Sequence, residues 1–216
     1  GLRHVVVSNV DVAFLVMGLD ADFNARRNER YLALVQGASG GAIVPVVVLT
    51  KRDWAGDAVA DHEADALRAR LGPAVPVLAV DGTSAASAQQ LRPWIGPGQT
   101  VVLLGSSGAG KSTLTNTLIG APVQDTGAVR ATDSRGKHTT TARSLHRVPG
   151  GGCVIDTPGV RTLRPDLDAE GLAATFADID ALATQCRFRD CHHQDEPGCA
   201  VRAGVDADRL ANWHKM

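Results

Sequence analysis

Gly105-Ser106-Ser107-Gly108-Ala109-Gly110-Lys111-Ser112, followed by Thr113, reads as G-x-x-x-x-G-K-S between an apolar run at 100–104 and a helix-period segment at 111–119. Glycines let the backbone wrap closely round an anion, successive amides point inward, and the helix that follows offers the positive end of its dipole to the same anion. Lys111 then reaches the β- and γ-phosphates of a nucleotide, and the Ser112 hydroxyl suits Mg2+, an ion that takes hard oxygens. The bland alternative is a Gly/Ser-rich strand-to-helix turn with no ligand. The flanking strand and helix weigh against it.

Outward from this loop, apolar β-branched runs at 12–17, 44–49, 75–80, 143–148 and 152–155 alternate with helical segments at 26–36, 58–71, 87–95 and 170–183. Such alternation predicts an α/β fold with a mostly parallel sheet and helices on its faces. The stretch 121–141 is polar, Gly- and Thr-rich and without apolar period, which reads as a long functional loop. The chain has 216 residues, with 22 Lys plus Arg against 23 Asp plus Glu and 44% hydrophobic residues. That balance excludes an acidic disordered tail and a wholly basic nucleic-acid binder. No apolar run approaches the roughly 20 residues that span a bilayer. The chain begins Gly1-Leu2-Arg3-His4 without a signal peptide or initiator Met, so an upstream piece is expected to be missing.

A phosphate loop alone specifies neither base nor chemistry. Asp156-Thr157-Pro158-Gly159 closes the apolar run ending at Ile155, where an Asp can hold Mg2+ through water and a Gly amide can sense the γ-phosphate; an ordinary Asp-initiated turn is the alternative. Thr50-Lys51-Arg52-Asp53 closes the run 44–49 and is similar to the guanine-reading N-K-x-D. A carboxylate at Asp53 can accept from guanine's ring N–H and amino group while the Lys51 stem covers the base plane. Adenine presents a mismatched edge, so Asp53 decides between GTP and ATP. Thr50 stands where Asn is usual, which removes an amide that braces such sites. A solvated turn is the other reading of this segment.

Of the four cysteines, Cys153 lies in the apolar run 153–155 and reads as core. The others form Cys186-x4-Cys191-x-His193-x5-Cys199, three thiols and one imidazole, enough for a closed tetrahedral Zn2+ site; His192 competes for the imidazole position.

The guanine-reading segment precedes the phosphate loop, the reverse of the usual GTPase order. This permutation, together with Arg135-Gly136-Lys137-His138-Thr139-Thr140-Thr141, Asp156 to Gly159, Ser8-Asn9-Val10-Asp11, Arg26-Arg27-Asn28-Glu29-Arg30-Tyr31-Leu32, Phe176-Ala177-Asp178-Ile179 and the Cys/His cluster, resembles the bacterial ribosome small-subunit-dependent GTPase A family, RsgA, also called YjeQ. The resemblance implies a circularly permuted GTPase at 1–165 and a small helical zinc-binding domain at 166–216, incomplete at its C-terminus, with an N-terminal OB-fold barrel that this chain lacks. It also implies Thr140 as the switch threonine on Mg2+ and γ-phosphate, with Thr139 the off-by-one alternative, and favours His193 over His192 as zinc ligand. Val160 stands where many GTPases keep a water-orienting Gln, and an aliphatic side chain cannot orient water. His138 becomes the candidate, its ordinary pKa of about 6.5 suiting proton work; a solvated loop histidine is the alternative. Asp81-Gly82-Thr83-Ser84 departs from the family's base-supporting Ser-Ala.

The expectation is GTP hydrolysis with Mg2+, coupled to late maturation of the small ribosomal subunit, with GTP-state docking and hydrolysis-linked release. The catalytic candidates are His138, Thr140 and Lys111. Nucleotide contacts are expected from Thr50, Lys51, Asp53, Gly105 through Thr113, Asp156 and Gly159, with Ser112, Thr140 and Asp156 on Mg2+. Arg130, Arg135, Lys137, Arg143, Arg187 and Arg189 are candidate contacts to ribosomal RNA, or simply solubilising charge. A cytoplasmic monomer without membrane contact is expected. Two rivals remain: a nucleotide-sensing ribosome-binding module with little turnover, and an ATP-dependent phosphotransferase built on the same loop, against which Asp53 argues.

Overall fold

The computed structural model describes residues 8–39, 41–124, 144–157 and 175–215. In chain order the elements are β1 (Val12–Gly18), α1 (Ala25–Ser39), β2 (Val44–Thr50), α2 (Arg52–Ala55), α3 (Asp57–Leu71), β3 (Val77–Ala79), α4 (Ala85–Leu91), a 3-10 turn (Arg92–Trp94), β4 (Thr100–Leu104), α5 (Lys111–Ile119), β5 (Ser144–Arg147), β6 (Cys153–Asp156), α6 (Ala177–Ala183), α7 (Ala200–Gly204) and α8 (Ala207–Trp213). The six strands form one sheet in the order β3-β2-β1-β4-β6-β5, parallel except where β5 runs against β6.

The central strands are continuous apolar runs because both their faces are covered. Along β1, Ala13, Leu15 and Met17 face one layer with Tyr31, Leu32 and Val35 of α1 and Ala60, Ala64 and Leu67 of α3. The alternate residues Val12, Phe14 and Val16 face the other, with Leu91 of α4 and Leu114 and Leu118 of α5. The four-residue and three-residue steps from Ala60 to Ala64 to Leu67 make one helical stripe, and each fully buried leucine in these layers contributes about 1.5–3 kcal/mol. The short edge strand β5 alternates half-buried and exposed residues and leaves Leu145 64% exposed.

The expected strand at 75–80 shrinks to Val77–Ala79, and the expected helix at 87–95 divides into α4 and a 3-10 turn where Pro93 removes a helical donor. Of the helix expected at 170–183, Ala177–Ala183 is described.

A second, small core gathers Phe176, Ile179, Cys199, Val201 and Leu210. It meets the sheet layer through a polar junction on α1. Glu29, with no exposed side-chain surface, accepts from Arg70 at 2.7 and 3.1 Å and also from Arg209 and Asn212. Arg209 grips Asp178 with two bonds, at 3.0 and 2.7 Å, and donates to Thr175 O at 2.9 Å. Two arginines and an amide surround this one buried carboxylate, and Asp178 on Arg209 and Asp208 on Arg70 answer the remaining positive charge. The expected boundary between residues 165 and 166 lies outside the described residues. No helix among the described residues is long and apolar enough to cross a membrane.

Candidate functional site

β1 and β4 are neighbours, yet β1 leads through α1 to β2 on one side while β4 leads through α5 towards β6 on the other. Open α/β sheets bind ligands outside the strand C-termini at such a reversal. The loop 105–110 sits there. Gly105 must be glycine because an added Cβ would run into the carbonyl oxygen of Val16 on β1, closer than real Cβ atoms come. Gly110 has φ 90° and faces Thr50 Oγ1, which its Cβ would meet at 3.1 Å.

Lys111 opens α5, is 6% exposed, and donates from Nζ to the loop carbonyls of Gly105 (3.0 Å) and Ser106 (2.8 Å). A phosphate in the loop competes for that ammonium. Burial pulls the Lys111 pKa below its ordinary value, and the Asp156 charge partly offsets this. Asp156 ends β6 opposite Leu103 of β4, so the pairing register delivers it to the phosphate loop. Its Oδ2 accepts from Ser112 Oγ at 3.3 Å, while Oδ1 is buried without a partner among the described residues. Burial raises the Asp156 pKa against the pull of Lys111 and Ser112. A buried orphan carboxylate oxygen beside a hydroxyl is a donor set that fits a hard divalent cation. Thr157 Oγ1 anchors the turn by donating to Leu103 O at 2.6 Å.

Thr50 lies at the end of β2, 1% exposed. Its hydroxyl donates to Ala109 O at 2.6 Å, which ties the end of β2 to the loop. Lys51 takes a left-handed conformation, φ 64°, which turns the chain into α2; the stem packs over Gly18 and Nζ pairs with Asp20. Asp53 lies in the first turn of α2, exposed, its carboxylate without a hydrogen-bond or ion-pair partner among the described residues. Asp81 caps its own turn by accepting from Thr83 N (2.8 Å) and Oγ1 (2.6 Å), and Gly82 O accepts from Thr117 Oγ1 of α5 (2.6 Å).

In the small core, the ligand atoms of Cys186, Cys191, His193 and Cys199 lie within 4.8 Å of one another. Cys186 Sγ is 3.9 Å from Cys199 Sγ and 3.6 Å from His193 Nδ1, and Cys199 Sγ is 3.4 Å from the same nitrogen. A tetrahedral ion bonded to sulfur at about 2.3 Å and imidazole at about 2.0 Å requires edges of about 3.5–3.8 Å. The cluster could therefore hold a metal ion. His193 is buried with φ 60°, whereas His192 is exposed.

The structure thus brings Thr50 and Lys51, the loop from Gly105 to Ser112, and Asp156 to one edge of the sheet. His138, Thr140 and Gly159 lie outside the described residues, as do Thr139, Val160, Arg130, Arg135, Lys137 and Arg143. Sequence reasoning missed four side chains. Asp20 pairs with Lys51; Asp22 and Arg27 meet at Ser106; Glu196 accepts from the backbone N–H groups of His192 and Gln194, both at 2.9 Å, which flank the cluster's histidine. Those bonds hold the Glu196 pKa down to about 2. The run of charges at 26–30 was the one available signal for Arg27.

Comparison with known proteins agrees with this geometry. The family model described as RsgA GTPase matches residues 1–165. The small ribosomal subunit biogenesis GTPase RsgA of Xanthomonas oryzae pv. oryzae (strain MAFF 311018) is 51% identical over 222 residues, covering 99% of this chain and 59% of the relative. The protein of the same name from Xanthomonas campestris pv. campestris (strain B100) is 52% identical with the same coverage. The chain thus spans 59% of the length of these relatives. The crystal structure of YjeQ from Thermotoga maritima is similar with a TM-score of 0.66 at 26% identity, over 96% of this chain and 70% of that one. That of YloQ, described as a circularly permuted GTPase, has a TM-score of 0.61 at 27% identity, over 96% and 67%. With the loop 105–112 following a central strand, and the segment Thr50 to Asp53 ahead of it in sequence and hydrogen-bonded to it in space, the chain belongs to the RsgA GTPase family.

Proposed function

We propose that this chain binds GTP with Mg2+ and hydrolyses it to GDP and phosphate during late maturation of the small ribosomal subunit, docking in the GTP state and leaving after hydrolysis. The observation that carries the reading is the hydrogen bond from Thr50 Oγ1 to Ala109 O, which ties a segment ending in Asp53 to a phosphate loop. A base held at Asp53 and phosphates held at 105–112 are then parts of one ligand.

Within that reading, loop amides and the α5 N-terminus hold the β-phosphate, and Lys111 turns from the Gly105 and Ser106 carbonyls to the β- and γ-oxygens. Ser112 and Asp156 would hold Mg2+, which neutralises charge on the bridging phosphate oxygens when bound. Asp53 accepts from the guanine edge, and the Lys51 stem lies on the base plane. Thr140 and Gly159 meet the γ-phosphate, and His138 orients the attacking water. Cys186, Cys191, His193 and Cys199 take Zn2+ in a closed, structural site, the edge lengths and the thiolate-rich donor set both suiting that ion. The two units are a GTPase domain at 1–165 and a zinc domain from 166 onward. Arg187 and Arg189 meet ribosomal RNA, and the protein works as a cytoplasmic monomer.

The test is single-turnover and steady-state GTP hydrolysis by the chain, with and without small ribosomal subunits. Slow intrinsic turnover raised by the subunits is expected. GTP binding without any turnover in either condition would replace the hydrolase by a nucleotide-sensing module, and hydrolysis indifferent to subunits would remove the ribosomal coupling.

A further inference from the structure

Helix α1 touches both the phosphate loop and the Cys/His module. On one side, Arg27 donates to Ser106 Oγ at 3.2 Å and forms two bonds to Asp22, at 2.6 and 3.1 Å, while Ser106 Oγ donates to Asp22 at 3.1 Å. Ser106 is also the residue whose carbonyl receives Lys111 Nζ. Of the two loop residues whose carbonyls share the phosphate-seeking lysine, Gly105 and Ser106, the one with a side chain is therefore held by α1. On the other side, Arg26 pairs with Asp208, and Glu29, two residues beyond Arg27, is the buried carboxylate shared by Arg209 and Asn212 of α8 and Arg70 of α3. Near the C-terminal end of the same helix, Gln36 accepts from Thr175 Oγ1 at 2.7 Å.

We propose that α1 couples the phosphate loop to the Cys/His module, with Arg27 as the positioning residue that registers the loop through Ser106, and Glu29 as the anchor that carries the position of α1 to α8. The proposal rests on the reading of 105–112 as a nucleotide phosphate site. A phosphate drawing Lys111 away from Ser106 O changes the restraint on that residue, and its hydroxyl passes the change to Arg27 and Asp22. Glu29 cannot slip past Arg209 without leaving a buried charge unpaired, so α8 follows α1. A triphosphate engages Lys111 more fully than a diphosphate, and this gives the module two positions to distinguish. Such coupling is reciprocal: whatever loosens the junction must alter the ratio of triphosphate to diphosphate affinity by the same factor.

The experiment is amide hydrogen exchange across Ala207–Trp213 in the full chain, bound to GDP or to a non-hydrolysable GTP analogue with Mg2+, alongside direct titration of both nucleotides. Wild type should show at least a roughly threefold difference in exchange between the two nucleotides, and Arg27→Ala, compared at nucleotide concentrations that saturate it, should abolish that difference. Asp208→Asn, a half-exposed and milder change at the junction, should shift the analogue-to-GDP affinity ratio by a comparable factor. Exchange that is identical with the two nucleotides, or a difference that survives Arg27→Ala, overturns the coupling. Failure of wild type to bind either nucleotide overturns instead the phosphate-site reading on which it rests.

Discussion

Replacing Thr50 by Val keeps the buried volume and removes one hydroxyl. The donor lost is the partner of Ala109 O at 2.6 Å, and Ala109 is itself 4% exposed, so the carbonyl is left without a bond and without water. An unsatisfied buried acceptor costs about 1–3 kcal/mol. In a chain of this size that lowers the melting temperature by roughly 3–10 °C. The binding effect is the part of the cost that the free loop escapes by relaxing and that nucleotide re-imposes when it re-forms the loop. Taking half of it gives about 0.5–1.5 kcal/mol, a rise in Kd of roughly 2- to 13-fold for GDP. Thr50→Ser keeps the donor and should stay near wild type. The assay pairs thermal unfolding with titration of a fluorescent guanine nucleotide. A Thr50→Val protein that melts and binds like wild type would refute the argument, because nothing would then depend on the bond between β2 and the loop.

Gly105→Ala forces a methyl against the Val16 carbonyl, which β1 cannot withdraw; overpacking of this kind costs about 1–3 kcal/mol or more, and a melt at wild-type temperature would contradict it. Asp156 has its pKa raised by burial above the ordinary 3.8, so its contribution to stability is full below that pH and is lost as pH rises through the raised value. Asp156→Asn should therefore melt above wild type at pH 7 without Mg2+, equal it near pH 3, and lose the Mg2+ dependence of GTP binding; equal melting at pH 7 would refute the sign. Stripping metal with a chelator should open amides in 175–215 and change the fluorescence of Trp213, whose ring lies 5.6 Å from His193, while exchange in β1, β2 and β4 stays slow. Simultaneous loss of the sheet would show that the small core is not a separate unit.

The sheet was legible because β1, β2 and β4 are apolar on both faces and carry their signal locally. β3 was overestimated because Val75 and Val80 are buried as its run suggests but lie outside the ladder, which pairs Val77, Leu78 and Ala79 alone. The four-residue α2 has no period to detect; it exists because Lys51 adopts φ 64° and its carbonyl receives the amides of Trp54 and Ala55. The phosphate loop and the Cys/His cluster were legible because their residues are close in sequence. The Glu29–Arg209 junction was not, since its partners are 180 positions apart and a buried ion pair leaves no local pattern. The bond from Thr50 to Ala109 O was hidden for a related reason: how near the loop lies to a short hydroxyl is set by the fold alone.

Discrimination of GTP from ATP rests on Asp53 as the proposed reader of the base. Competition of GTP, GDP, ATP and XTP against a fluorescent guanine nucleotide, on wild type and Asp53→Asn, tests it directly. Wild type should prefer guanine, and the variant should lose GTP and gain XTP, because an amide can donate to the xanthine oxygen where the carboxylate accepted from the guanine amine. Displacement by ATP as effective as by GTP, with no change in the variant, would leave a phosphate loop without a guanine site and contradict the account.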